Sequence, residues 1–510
     1  VILNMNIRKL TLLFLFVFSG VCPLTAQITT FELLFPIDDE SLIYNGETVD
    51  GLKTGVWTAY NSDSTYFQTG LYEKGVRNGG WLIYVDKLER ARMTYESDKL
   101  QGGYRLFYND GSIAVSTNFL DNELQGEWRS YRLERTLLDV GFFVNGKKTG
   151  KWVSYHPSGE IEIVSGYKDG LLHGPYMVFD EYGVKTTEAN YESGLLEGSW
   201  EKFDYDGFTT EKGEFLEGKQ VGKWTYYHGT GTVSAFEFYE EGNKTGTWES
   251  FHTSGRKAST ITYIDDKPVG RAQSWFENRQ LESTAYYRLG LIDSTYTQYF
   301  RNGAKSAEGQ YKLGTKQGPW KYYHENGMIA QFGLYNLDKK TGNWKFFDDS
   351  GALISEGLYK QGLEHGQWFI YYSNGKLESI GSYLDGSKDG LWGYFHKNSQ
   401  PMKEETWLKG KLMKISPFTA EDGDTFNTGE LDQGNGLVIN YYSNGKKFSE
   451  GQYKDGYPNG LWTFYDERER KLTDGQLVKG IRQGRWKVYA RNGRLLRSET
   501  YKDGELIEND

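Results

Sequence analysis

The sequence predicts an all-β protein, an elongated, twisted array of about nineteen 24-residue β-hairpin repeats in an antiparallel meander. Three observations predict it. A Gly-x-aromatic step recurs every 24 residues, an aromatic follows three positions later, and Gly-rich turns fall at fixed offsets between short aromatic and β-branched runs. No run of ten or more residues carries a helical period.

With the aromatic of the step as position 0, the series runs Gly55/Trp57, Gly126/Trp128, Gly150/Trp152, Gly198/Trp200, Gly222/Trp224 and Gly246/Trp248. It resumes at Gly318/Trp320, Gly342/Trp344, Gly366/Trp368, Gly390/Trp392, Gly460/Trp462 and Gly484/Trp486. The spacing holds from 57 to 392 with one step of 23 at Tyr104, and the gap from Trp392 to Val438 is 46. All 15 Trp fall in step: 13 at position 0, Trp275 at +3 and Trp407 at +15. Trp copied at a fixed period points to architecture, since a catalytic ring has no reason to repeat.

One unit reads WFIYYSNGKLESIGSYLDGSKDG from Trp368 to Gly390. Asn374-Gly375 is expected to form a two-residue type I′ turn, because both residues tolerate positive φ. The Asp-Gly pair at +17/+18 marks a second turn. A side-chain period of two puts positions 0 and +3 on opposite faces, unless a bulge brings the rings together. The sequence leaves both arrangements open. Glycine at −2 is expected to leave room for a ring from a neighbouring strand. Twist of about 20–25° per strand should make so long a meander coil.

The G-x-W-x-x-Y, N-G and Y-x-D-G steps in a 24-residue unit resemble the MORN-repeat variant of bacterial proteins, over about residues 44–507. Each unit is a weak match, and the set in register is specific. The resemblance implies a repeat scaffold. Shorter bacterial members carry the label of antitoxin components in toxin–antitoxin systems, and eukaryotic MORN proteins are associated with membrane junctions. Repeat architecture does not fix a function.

In chain order, residues 1–26 read as a secretory signal peptide starting at Met5, with Arg8 and Lys9 ahead of the apolar run Leu10–Phe18. That run is too short to span a membrane, and the mature chain has no other candidate span. Cleavage is expected between Ala26 and Gln27, with lipidation of Cys22 as the alternative. Residues 27–43, including FELLFP at 31–36, lie outside the period and should cap the array against edge pairing. The array proper covers 44–410. Residues 411–435 are a degenerate repeat or loop carrying EDGD at 421–424, and 436–510 return to the period and finish on an acidic end.

Little in the sequence points to chemistry. The net charge is −10, and no basic run is long enough for nucleic acid. Cys22 is the single cysteine, so the mature chain has neither a disulfide nor a thiol nucleophile. Five of seven His stand at +4 (His156, His228, His252, His324 and His396). Units about 9.6 Å apart cannot share a metal that needs bonds of about 2.0–2.1 Å, so these read as strand-end residues. No nucleophile elbow, phosphate loop or metalloprotease motif is present, and no cofactor is expected. The expected function is that of an exported, monomeric, non-enzymatic scaffold at the bacterial envelope or outside the cell, with an unknown protein partner. Glycan or cell-wall binding through aromatic rows is the first alternative, and neutralisation of a toxin, implied by the family label alone, is the second.

Overall fold

The computed structural model describes residues 9–11 and 31–509, the side chains of 9–11 and 509 excepted. The expected cleavage and lipidation residues Cys22, Ala26 and Gln27 lie outside the described residues. Every regular element among the described residues is a β-strand. The chain forms two compact units, residues 1–255 and 256–510.

In the first unit, Lys9–Thr11 pairs with Glu32–Leu34. The meander then begins with Ile43–Val49 against Leu52–Tyr60 and runs to Asn243–Phe251, each strand antiparallel to its sequence neighbour. Residues 31–42 lie on the Trp-bearing face, where Phe31, Leu33, Ile37 and Leu42 join Trp81, Trp128 and Trp152 in one buried core. The expected cap is therefore a strap laid over a sheet face, while Ile43–Val49 forms the edge itself.

In the second unit a like meander runs from Lys257–Ile264 to Lys411–Ile415. A short hairpin follows, Phe418–Thr419 with Thr425–Phe426. An eight-stranded meander from Leu431–Asp432 to Glu505–Asn509 completes the chain. The blank positions of 411–435 are thus a shortened hairpin. Ala420 N–H donates to Asp424 O (2.8 Å) and Gly423 N–H to Ala420 O (2.9 Å), the pattern His396 makes with Gln400 24 residues earlier. EDGD is that hairpin's turn. Pro417, which has no N–H to give a ladder, stands where regular pairing stops.

The Asn-Gly turn is not of the expected type I′. At Tyr372–Lys376, Tyr372 N–H donates to Lys376 O (2.8 Å) and Gly375 N–H to Tyr372 O (2.9 Å). Gly375 takes φ +79° while Asn374 stays at negative φ, which is a type I turn closed by a glycine bulge. The Asn side chain stabilises this form, its Oδ1 accepting from Lys376 N–H (3.0 Å). The type I′ turn lies at the Asp-Gly end, where Asp385 and Gly386 take φ of +48° and +82° between the paired Leu384 and Ser387.

Two register shifts recur in each unit. Ile370 faces Ser379 and Tyr371 faces Leu377, so Glu378 is the extra residue. On the other side of the strand, Gly357 faces Trp368 while Leu358 faces His365. Gly366 and Gln367 are therefore extra on the Trp strand, and Gly366 at φ +65° makes the bend. This corrects the expected role of the glycine at −2. A Cβ on Gly366 would meet only a Leu358 methyl, at 3.6 Å, and no ring. The position needs glycine for its left-handed backbone.

Candidate functional site: two aromatic faces

Neither register shift carries the +3 ring onto the Trp face. Trp368 packs edge-on against Tyr359 (5.3 Å) and Tyr383 (5.9 Å), residues at +15. Tyr371, at +3, points the other way and donates its hydroxyl to Glu356 (3.0 Å), at +12. The same +3/+12 pair recurs as Tyr323 with Glu308 (2.5 Å) and Tyr465 with Glu450 (2.5 Å). One face therefore carries positions 0, +2, +13 and +15, and the other carries +3, +12 and +14.

Seven Trp (Trp57, Trp81, Trp152, Trp320, Trp344, Trp392 and Trp486) have a glycine on one side of the ring and a cation on the other. Beneath the ring lies the glycine at +13 of the preceding unit. A Cβ on Gly333 would sit 2.3 Å from the Trp344 ring, and one on Gly381 would sit 2.1 Å from the Trp392 ring. Above the ring, in these seven, lies a cation at −4. Lys340 Nζ is 4.2 Å from the Trp344 ring centre, Lys388 Nζ 4.3 Å from that of Trp392, and Lys148 Nζ 3.9 Å from that of Trp152. The indole N–H donates to the carbonyl next to the glycine, as in Trp344 to Leu334 O (3.1 Å) and Trp368 to Leu358 O (3.1 Å). Trp81, Trp152, Trp320, Trp344, Trp392 and Trp486 are buried in this way, and Trp224, Trp368 and Trp462 are buried over the glycine with Gln220, Glu364 and Pro458 at −4 in place of a cation. Trp57, on the edge repeat, is partly exposed. Ala189 and Glu237 replace the glycine before Trp200 and Trp248, and those two indoles are partly exposed as well. Thr117 stands there before Trp128, which stays buried because the strap's core covers that repeat.

Burial acts on the cations. It pushes Lys148 down to about 8, against the opposing pull of Asp139, whose own carboxyl burial pushes up. Lys340 and Lys388 are lowered for the same reason.

At two +13 positions that no indole covers, Glu405 and Glu499, a carboxylate takes the glycine's place. Position +13 after Trp392 is Glu405, and the residue that would cover it is Ser416. Glu405 accepts from Lys403 Nζ (2.6 Å), the Tyr394 hydroxyl (2.7 Å) and the Trp407 indole N–H (3.0 Å). Burial pushes its pKa up, and Lys403 together with the Tyr394 hydrogen bond outweighs that and leaves it below the ordinary value. Glu499, at +13 after Trp486, repeats the arrangement with Tyr501 (2.9 Å) and Arg497 (2.7 Å).

The histidines at +4 join neighbouring units along the turn edge. His156, His228 and His324 place Nε2 2.9, 2.9 and 3.0 Å from the carbonyls of Phe179, Phe251 and Phe347, each 23 residues on. Turn asparagines do likewise: Asn302 Nδ2 donates to Glu325 O (2.8 Å) and Asn278 Nδ2 to Arg301 O (2.8 Å). Among the described residues, no three His, Asp or Glu side chains gather as a metal site. No helix of the described residues is long and apolar enough to cross a membrane.

Sequence reasoning singled out the Trp and missed both of its partners. Gly309, Gly333, Gly357 and Gly381, and Lys316, Lys340 and Lys388, keep the same period and could have been found by it.

Fold and faces together define an all-β hairpin-repeat protein. Six of its repeats match the family model of the MORN repeat variant, at residues 148–169, 316–336, 340–361, 364–385, 435–455 and 482–503. No curated protein matches the chain. Among solved structures, a Tc holotoxin pore of Photorhabdus luminescens aligns at 10% identity over 88% of this chain and 32% of that one. Its TM-score of 0.13 carries no argument about function, and the chain spans about a third of that protein's length.

Proposed function

We propose that the chain is an exported, non-enzymatic, repeat-based scaffold for protein interaction at the bacterial envelope or outside the cell. The observation that carries the reading is the division of labour between the faces. The buried Trp and the +4 and +6 hydrogen bonds fix each unit on its neighbour, which leaves the remaining side chains free to be a repeated display. Export rests on the signal-like residues 5–27. Immobilised full-length chain should retain defined proteins from envelope extract after cross-linking. Retention of none would remove the scaffold reading.

One observation favours glycan binding as a second reading. Tyr60, Phe67 and Tyr84 line an open hollow on the +3 face with Thr69, Ser64 and Lys87, and the Phe67 and Tyr84 rings lie 5.6 Å apart. Rings flanked by hydroxyls suit the stacking of a sugar. A glycan array with Tyr84→Ala as the control separates the two readings.

A further inference from the structure

The first unit shows what the Trp face can hold. Its strap crosses the face as an extended segment whose backbone is gripped by side chains. The Tyr104 hydroxyl accepts from Leu34 N–H (2.9 Å) and donates to Leu34 O (3.0 Å). The Gln68 amide accepts from Ile37 N–H (2.8 Å) and donates to Ile37 O (2.7 Å). Phe35 packs on Tyr104 (5.7 Å) and Phe119 (6.0 Å), and Asp38 pairs with Arg77, the cation at −4 above Trp81. Under the strap the +2 residues Ala59, Ile83 and Leu106 are buried.

The second unit carries the same face, and among its described residues no such segment packs on it. Its +2 residues Tyr322, Phe346, Ile370 and Tyr394 are larger and only partly buried. Three of the four −4 residues, Lys316, Lys340 and Lys388, stand in the place of Arg77 and bond Tyr322, Gln331 and Tyr394; the fourth is Glu364, which accepts from the Tyr359 hydroxyl (3.0 Å), and Glu405 lies near Lys388. Gln331 occupies the +11 position of Gln68.

We infer that this face of the second unit binds an extended segment of a partner protein, apolar and followed by a carboxylate, in the manner of the chain's own residues 31–38. The inference rests on the scaffold reading and names its site and ligand. Rings give the apolar contact, Gln331 a backbone grip, and the lysines attract the acid. An added strand at a sheet edge would leave these side chains unused, so the mode differs from strand addition.

The test uses the full chain and a labelled peptide of the strap sequence, FELLFPIDDE. Fluorescence anisotropy should show saturable binding that weakens with salt. The variant Phe346→Ser/Ile370→Ser should bind about tenfold more weakly or worse, because apolar burial supplies the affinity. Serine is native at +2 in Ser130, Ser154 and Ser274, so the variant should fold, with an unchanged circular dichroism spectrum. A peptide with the acids replaced by amides should bind severalfold more weakly. Equal binding by variant and wild type, or none at millimolar peptide, overturns the inference. So does self-association of the chain that the variant abolishes, which would assign the face to a second copy. If the variant loses peptide yet still cross-links the same envelope proteins, the scaffold reading stands and this face is not where those partners bind, which overturns the inference. Loss of all cross-linked partners by wild type as well removes the reading itself.

Discussion

Gly357→Ala isolates the packing of ring on glycine. Gly357 lies in extended backbone, so alanine there carries no conformational penalty, and its lower chain entropy would favour folding by about 0.5–1 kcal/mol if nothing else changed. The obstacle is the Trp368 ring, 2.2 Å from where the new Cβ would stand. Carbon atoms pack at about 3.5–4.0 Å, so the indole must retreat by roughly 1.5 Å. That shift breaks its hydrogen bond to Leu358 O (3.1 Å) and opens its contacts with Tyr359 (5.3 Å) and Phe346 (6.1 Å). Overpacking costs about 1–3 kcal/mol and the hydrogen bond about 0.5–1.5, which less the entropy gain leaves an expected loss centred on about 2 kcal/mol. Gly366→Ala, nine residues on, meets no ring and should cost only about 1 kcal/mol for its left-handed backbone. Because repeat arrays can open locally, amide hydrogen exchange across 353–371 is the proper measurement. Trp368→Leu should make Gly357→Ala nearly neutral, a coupling of about 2 kcal/mol. Equal effects of the two glycine changes, or no coupling to Trp368, would refute this packing.

The remaining predictions follow from other contacts. Lys148 binds its proton less tightly when folded (about 8) than when unfolded (10.5), so its burial costs stability in full below pH 8, about 3 kcal/mol, and the cost fades as pH rises towards 10.5. Urea midpoints of wild type against Lys148→Met should therefore converge or cross in wild type's favour over that window, and a difference independent of pH counts against it. His324→Ala should lose about 1 kcal/mol of local protection, seen as faster exchange in 344–360, through its bond to Phe347 O (3.0 Å). Phe418, 2% exposed and stacked on Tyr441 (5.4 Å), should hold the shortened hairpin closed. Limited proteolysis should cut wild type no faster at 411–435 than at other turns, and Phe418→Ala should be cut there first, at a cost of about 3 kcal/mol. Intact mass of chain recovered from envelope or medium should begin at Gln27, and a mass for diacylated Cys22 would assign a lipoprotein instead.

The sequence by itself determined the unit, its period, its strands and the placing of its turns, because hairpins need only local signals: aromatic runs, Asn-Gly and Asp-Gly steps, and the side-chain period of two. It also located the deepest lapse of the period, at Ser416 and Pro417. The type of each turn was not legible, since Asn-Gly serves both a type I′ turn and a type I turn with a glycine bulge, and the bond from Lys376 to Asn374 selects the second. Which glycine admits the ring was not legible either. The glycines at −2 and +13 look alike in the sequence, and only the register shift at Gly366 turns one into a bend and leaves the other beneath Trp368. Tertiary structure alone decided that residues 31–42 cover a face and do not cap an edge. That choice depends on Gln68, Arg77 and Tyr104, which stand 31 to 70 residues from their partners, and no local pattern records contacts over that distance.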